Sequence, residues 1–172
     1  NGYNAGKSEE QIMRRKSMSG PVKCLVYIIA LGVVSFVTGR LLPKHWFKSD
    51  RFPFRCNEKE KKLYKALRVK DWQNKVPDMS RVFTKLMPAK KLNAGTLADI
   101  PRMLEETCVA EFIHVVLSVL GLACLWLWPG FGGAVVTLVY ILLGNVPFII
   151  IQRYNRPRLQ RLLARRGRGG KG

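Results

Sequence analysis

Glu111 and His114 stand three residues apart at the edge of a long apolar run, a spacing that puts a carboxylate and an imidazole on one face of a helix. Read at about 100° per residue, Thr107, Glu111 and His114 fall within about 60° of one another, while Glu106 lies about 100° to the side. Ionisable groups so close to hydrocarbon are costly, and they are usually paired or functional. A second polar block, Gln152, Arg153, Tyr154, Asn155, Arg156, Pro157 and Arg158, follows the last apolar run. If the two stretches are same-side ends of a helical hairpin, the arginines arrive beside Glu111 and His114. A Glu/His/Arg cluster at a membrane surface could deprotonate a hydroxyl and stabilise the anion formed during acyl transfer. It could equally be an ion-pair clasp between two helices with no chemistry, and spacing alone favours the clasp.

Asn145 and Pro147 lie inside the last apolar run. Pro removes one backbone hydrogen bond, so the pair could open a local cavity. The plainer reading is a kinked helix whose Asn bonds to its neighbour. No cofactor is expected, because the chain has no Gly-rich phosphate loop. No metal is expected either, since Glu111 and His114 alone fall short of a full ligand set. His45 is the one other histidine, which excludes the histidine-rich di-iron sites of membrane desaturases on ligand count. Cys24, Cys56, Cys108 and Cys124 have no metal-ligand spacing and read as buried or free thiols.

The elements that must position these residues are apolar spans with basic flanks. The net charge is +19, from 30 Lys and Arg against 11 Asp and Glu, yet hydrophobic residues make up 48% of the 172. Such a chain is more a membrane protein than a nucleic-acid-binding globule. The fold class expected is an all-α integral membrane protein with about three transmembrane helices and an amphipathic, interfacial basic loop between the first and second. Its parts are a basic N-terminal segment (1–23), a first transmembrane helix (24–42), the loop (43–101), a transmembrane helical hairpin (102–151) and a basic C-terminal tail (152–172). A signal-peptide core is the competing reading of the first span, but the run is long for one and no small-residue cleavage site follows. The chain begins at Asn1 rather than Met, so targeting is not read from this end.

The second span starts near Leu97 or Arg102 and the third runs from about Gly133 to Ile151 or a little beyond, joined by a turn at Trp128, Pro129, Gly130, Phe131, Gly132 and Gly133. Tyr64, Leu67, Val69, Trp72 and Val76 alternate with basic residues; they suit either a segment at headgroup level or a small subdomain packing them inward. The flanks carry net charges of +3 (1–23), +9 (40–106) and +8 (152–172). With three spans the loop and tail share a side, and the positive-inside rule assigns it to the cytosol, matrix or stroma.

At these residues the chain resembles the glycosyl-diaponeurosporenoate acyltransferases, small membrane enzymes that esterify the sugar of a carotenoid glycoside with a fatty acyl group. The family pattern E-T-x-x-A-E-x-x-H is matched by Glu106, Thr107, Ala110, Glu111 and His114. A second block, N-x-P followed by Q-R-Y-N-R-P-R-L, is matched by Asn145, Pro147 and the eight residues 152–159. The stretch Val69, Lys70, Asp71, Trp72, Gln73, Asn74, Lys75 with Pro77 and Asp78 is a weaker match. The resemblance covers roughly residues 46–166. It implies an O-acyltransferase acting on a hydroxyl of a lipid-linked sugar, with acyl-CoA or another acyl donor as substrate. Chemistry then suggests His114 as general base, with Glu111 or Glu106 holding it. Arg153, Arg156 and Arg158 would face the donor's phosphates or the developing oxyanion, with Asn155 and Asn145 completing the substrate- and lipid-binding set. The partners expected are membrane lipids and anionic headgroups; nucleic acid is not expected.

The alternative is a non-catalytic accessory subunit of a large membrane complex on the same fold, with other subunits as partners. The Arg/Gly-rich tail from Arg165 to Gly172 favours it, since tails of that composition stay disordered unless something holds them.

Overall fold

The computed structural model describes residues 18–73, 75–76 and 100–169, with side chains as far as Arg165. Most of the basic N-terminal segment, Asn74, Pro77, Asp78, Pro88, Leu97 and the last three residues lie outside the described residues. The described chain is helical, and three of its helices are long and apolar enough to cross a membrane. It is an all-α integral membrane protein.

Helix α1 spans Gly20–Leu41, about 33 Å at 1.5 Å per residue and enough for a hydrocarbon core of about 30 Å. It begins earlier than the uncharged run because Pro21 sits in the first turn, where a missing N–H costs little, and because Lys23 can extend its amine out of the apolar layer. Leu25, Ile29, Val33 and Val34 are all more than half exposed, and Cys24 is the buried residue of this helix. Such a face suits lipid rather than water.

After a 3₁₀ turn at Lys44–Trp46 the chain forms α2, Glu58–Ala66, and α3, Val69–Trp72. Asn57 starts α2 through a reciprocal cap: its side chain accepts from the Glu60 amide at 2.9 Å while Glu60 accepts from the Asn57 amide at 3.2 Å. Arg68 joins the two helices in the left-handed region, φ 50°, where Gly would be less strained. Tyr64 and Val69 pack inward, as the subdomain reading of this segment has it, while Leu67 is exposed.

The hairpin is built from α4 (Ile100–Gly121), a short α5 (Cys124–Leu127), α6 (Phe131–Leu142) and α7 (Val146–Gly169). The turn is tighter than its Pro/Gly composition suggests: Gly130 takes φ 104°, and helix resumes at Phe131. Gly132 and Gly133 therefore belong to α6, where a Cβ at 133 would collide with the Trp128 carbonyl.

Helix α7 runs well past Ile151, through the stretch expected to be a tail. Leu159, with Leu162 and Leu163 beside it, packs on Ile100, Leu104 and Met103 of α4, so an apolar face continues under the arginines. Pro157 lies inside this helix and offers no N–H to the Arg153 carbonyl.

Contacts at the two ends fix which parts are neighbours. At one end the Cys24 thiol approaches the Cys124 carbonyl at 3.7 Å and the Tyr27 hydroxyl donates to the Leu120 carbonyl at 2.9 Å. At the other, Lys44 pairs with Glu106 at 2.9 Å and Gln160 donates to the Ser49 carbonyl at 3.3 Å. The segment 43–76 therefore caps the same end of the bundle as the start of α4 and the second half of α7.

All four cysteines are free; three are buried, and burial, with Glu60 adjacent, pushes the Cys56 thiol up to about 11. In a cysteine-free background, Lys59→Cys and Arg165→Cys should label with an impermeant maleimide from one membrane face and Phe131→Cys from the other. Labelling of all three from one face would refute the arrangement.

Candidate functional site

Glu111 projects from the buried stripe of α4 formed by Ile100, Leu104, Cys108, Glu111 and Leu117. It is 4% exposed, and Arg156 opposite it on α7 has no exposed surface. Arg156 Nη2 donates to Glu111 Oε2 at 2.7 Å, and Arg153 Nη1 donates to Glu111 Oε1 at 2.7 Å. Arg153 and Arg156 reach the same carboxylate because three residues along a helix share a face.

Arg156 uses four of its five N–H groups. Besides Glu111, its Nη2 donates to the Thr107 carbonyl and its Nε to Thr107 Oγ1, each at 3.2 Å, and its Nη1 donates to the Phe54 carbonyl. Its guanidinium also lies 5.6 Å over the Phe54 ring. Phe54 belongs to a small apolar cluster with Phe47, Cys108 and Val109. Arg153 extends the network outward: its Nη2 donates to Glu60 Oε1 at 3.0 Å and to the Pro53 carbonyl at 3.3 Å. Two carboxylates and two guanidinium groups thus join α4, α7 and α2 in a network that leaves no net charge. Burying those charges is expensive, and the geometry offsets the cost only while every partner is in place.

His114 lies less than one turn further along α4. Its Nδ1 is 3.0 Å from Asn145 Oδ1, and its ring stacks on Phe148 with centroids 4.7 Å apart. Asn145 is 1% exposed, and its Nδ2 donates to the Tyr140 carbonyl at 3.0 Å. A carbonyl can only accept, so the amide NH₂ must face Tyr140 and the amide oxygen must face His114. In the neutral ring Nδ1 then carries the hydrogen, and Nε2 keeps the lone pair. Asn145 bonds to the neighbouring helix, as the plainer sequence reading has it.

The structure brings Glu111, Arg153 and Arg156 together and sets His114 with Asn145 beside them. It corrects the expectation that Glu111 or Glu106 holds His114, since the Nδ1 partner is Asn145. Glu106 pairs instead with Lys44 and, at 3.3 Å, with Arg102 of its own helix. Arg158 does not join the cluster: five residues from Arg153 it points elsewhere, exposed, with its guanidinium 5.2 Å over the Tyr154 ring. Asn155 is half-buried and takes part in none of these hydrogen bonds. Sequence reasoning missed Glu60 and the Pro53 and Phe54 carbonyls. The N-x-x-E cap spacing of Asn57 and Glu60 was the available signal for a helix there, but nothing local points Glu60 at Arg153.

The sequence profile of the glycosyl-4,4'-diaponeurosporenoate acyltransferases matches residues 43–165. A protein of that name from Staphylococcus aureus strain MRSA252 is 31% identical over 152 residues, which cover 84% of this chain and 90% of that protein. The protein of the same name from strain Newman is 30% identical over 145 residues, covering 81% and 86%. No solved structure matches the chain.

Glu111→Ala would leave the buried guanidinium of Arg156 and the part-buried one of Arg153 short of their shared carboxylate, so it should destabilise the protein by about 3–5 kcal/mol. Arg156→Lys keeps the charge but loses the planar fork, and should cost at least about 2 kcal/mol. Thermal unfolding in detergent, read by intrinsic fluorescence, measures both. A Glu111→Ala protein that melts with the wild type would show that the network does not hold this end of the bundle together.

Proposed function

Since the chain belongs to the glycosyl-4,4'-diaponeurosporenoate acyltransferase family, we propose that it esterifies a hydroxyl of a lipid-linked sugar, on a carotenoid glycoside or another glycolipid, with a fatty acyl group. The observation that carries this reading is the orientation of His114. A buried amide locks its tautomer so that Nε2 is basic, as a general base for a neutral hydroxyl requires.

In the proposed reaction the sugar hydroxyl gives its proton to Nε2 as its oxygen forms the new bond to the acyl carbon. The bond to the donor's leaving group then breaks, and the imidazolium returns the proton to that group. Asn145 serves as the orienting partner, the part a buried carboxylate plays in serine hydrolase triads. Arg153, committed through both terminal nitrogens to Glu111, Glu60 and the Pro53 carbonyl, contributes a positive charge near this end of the bundle rather than a free donor to the oxyanion. Arg156, fully enclosed, acts as a positioning residue through Glu111 and Thr107. Glu106 with Lys44 steadies the junction of the loop with α4. His114 lies about 4.5 Å along the helix from Glu111, a depth that suits an acceptor arriving laterally from the bilayer on its own lipid. The charge of the flanks supports placing this end on the cytosolic, matrix or stromal side, where a soluble donor such as acyl-CoA would be met.

The accessory-subunit alternative draws no support from the comparisons, in which the profile and the relatives alike carry the acyltransferase name.

Purified protein incubated with acyl-CoA and a membrane glycolipid extract should yield ester products detectable by mass spectrometry. His114→Ala should cut that yield about 10²-fold or more while the protein stays inserted and folded. Asn145→Leu, which frees the ring to turn, should lower it less. Activity that survives His114→Ala removes the mechanism, and absence of product with every acceptor removes the enzyme.

A further inference from the structure

Helix α7 presents a second set of cations on its other side. Tyr154, Pro157, Arg158 and Arg161 lie about 100–200° around the helix from Arg156, and there they meet the outer faces of α2 and α3. Between them is a cleft of about 390 Å³, lined by Lys61, Lys65, Arg68, Lys70, Arg158 and Arg161 as well as by Asp71 and the two tyrosines Tyr64 and Tyr154. Six cations line it with the single carboxylate Asp71, and a second, Glu58, acts on Lys61 and Arg161 from beside it.

Asp71 is already engaged, since Arg68 Nε donates to it at 2.8 Å, and Lys61 is paired with Glu58. Among the described residues, Lys65, Lys70 and Arg161 form no ion pair. Arg158, though exposed, sits with its guanidinium 5.2 Å from the centre of the Tyr154 ring, within the range of a cation–π contact. Like charges gathered in a concavity repel one another until an anion arrives, and the protein walls focus their field on whatever enters. Arginine forks together with lysine ammonium groups are the usual pairing for phosphate oxygens.

The height of the cleft narrows the ligand. Tyr154 to Arg161 are three to ten residues past Ile151, the last residue of the apolar run, or about 5–15 Å along the axis. The headgroup layer on each side of a bilayer is about 5–8 Å thick. On a helix along the bilayer normal, the cleft therefore falls at the level of the headgroups and the water just beyond them, within reach of a phosphate whose acyl chain stays in the bilayer.

We propose that this cleft binds the phosphoryl groups of an amphiphilic phosphate ester, the class that includes coenzyme A thioesters and anionic phospholipids. It is separate from the pairing of Glu111 with Arg153 and Arg156, and only its use in delivering an acyl donor rests on the acyltransferase reading.

The test measures binding, so its failure is distinct from failure of the enzyme. The whole protein is placed in nanodiscs of phosphatidylcholine and titrated calorimetrically with coenzyme A. In a parallel arm, nanodiscs containing phosphatidylglycerol are used and the lipid retained through delipidating washes is counted by mass spectrometry. Wild type should bind saturably in at least one arm, and the arm that reports identifies the source of the phosphate. Arg158→Gln/Arg161→Gln and, on the opposite wall, Lys65→Gln/Lys70→Gln should each weaken that binding at least about tenfold, while Lys59→Gln, outside the cleft, should not. Two walls give two readings should one double variant fail to fold. No saturable binding by wild type in either arm, or binding that a folded double variant leaves unchanged, overturns the proposal.

Discussion

Glu111 is a carboxylate with almost no contact with solvent, and each of its oxygens is held by an arginine from the neighbouring helix. Desolvated charges of this kind tolerate little freedom, because losing one partner exposes the rest to the full cost of burial. Much of the local structure follows from that constraint. Helix α7 must continue beyond the apolar layer to deliver Arg153 and Arg156 on one face. The stretch that follows α1 must fold back to give Arg156 the Phe54 carbonyl and Arg153 the Glu60 carboxylate. The aromatic pair Phe47 and Phe54, 5.7 Å between centroids, closes the site from water and strengthens the electrostatics inside.

Legibility in the sequence divides along physical lines. The spans were readable because an uncharged run has few alternatives in a chain this basic. The meeting of Glu111 with the arginines followed from hairpin geometry, in which two same-side ends cannot avoid each other. The extension of α7 was harder, because eight basic residues in 152–172 mask the i, i+3, i+4 spacing of Leu159, Leu162 and Leu163. The partner of His114 was misassigned for a related reason. Helical phase places Glu111 near the imidazole, but it does not show that both carboxylate oxygens are already committed across the interface. Glu60 could not be found at all, since its contact with Arg153 spans 93 positions and depends on how the loop returns.

The network and the histidine are also different in kind. One is an ionic set whose charges balance one another and whose arginines also draw on loop and helix carbonyls, suited to holding elements in register. The other is a hydrogen-bonded pair, His114 with Asn145, that leaves the second ring nitrogen outside the pair. Asn145 can play this part because the chain is interrupted beside it: Pro147 has no N–H for the Leu143 carbonyl, and the Asn side chain bonds back to the Tyr140 carbonyl. An uninterrupted apolar helix would offer no buried amide at that level.

The same helix then explains how so many arginines serve without competing. Arg153 and Arg156, three residues apart, face inward and are spent on Glu111 and the loop. Arg158 and Arg161, also three apart, keep the same spacing but are offset by five residues from the first pair, which turns them about 140° around the axis. One periodicity, repeated out of phase, gives a closed face that fixes the fold and an open face with cations to offer a ligand. A count of positive charge cannot make that distinction, because it depends on where each residue falls around the helix and on which carboxylates the opposing elements supply.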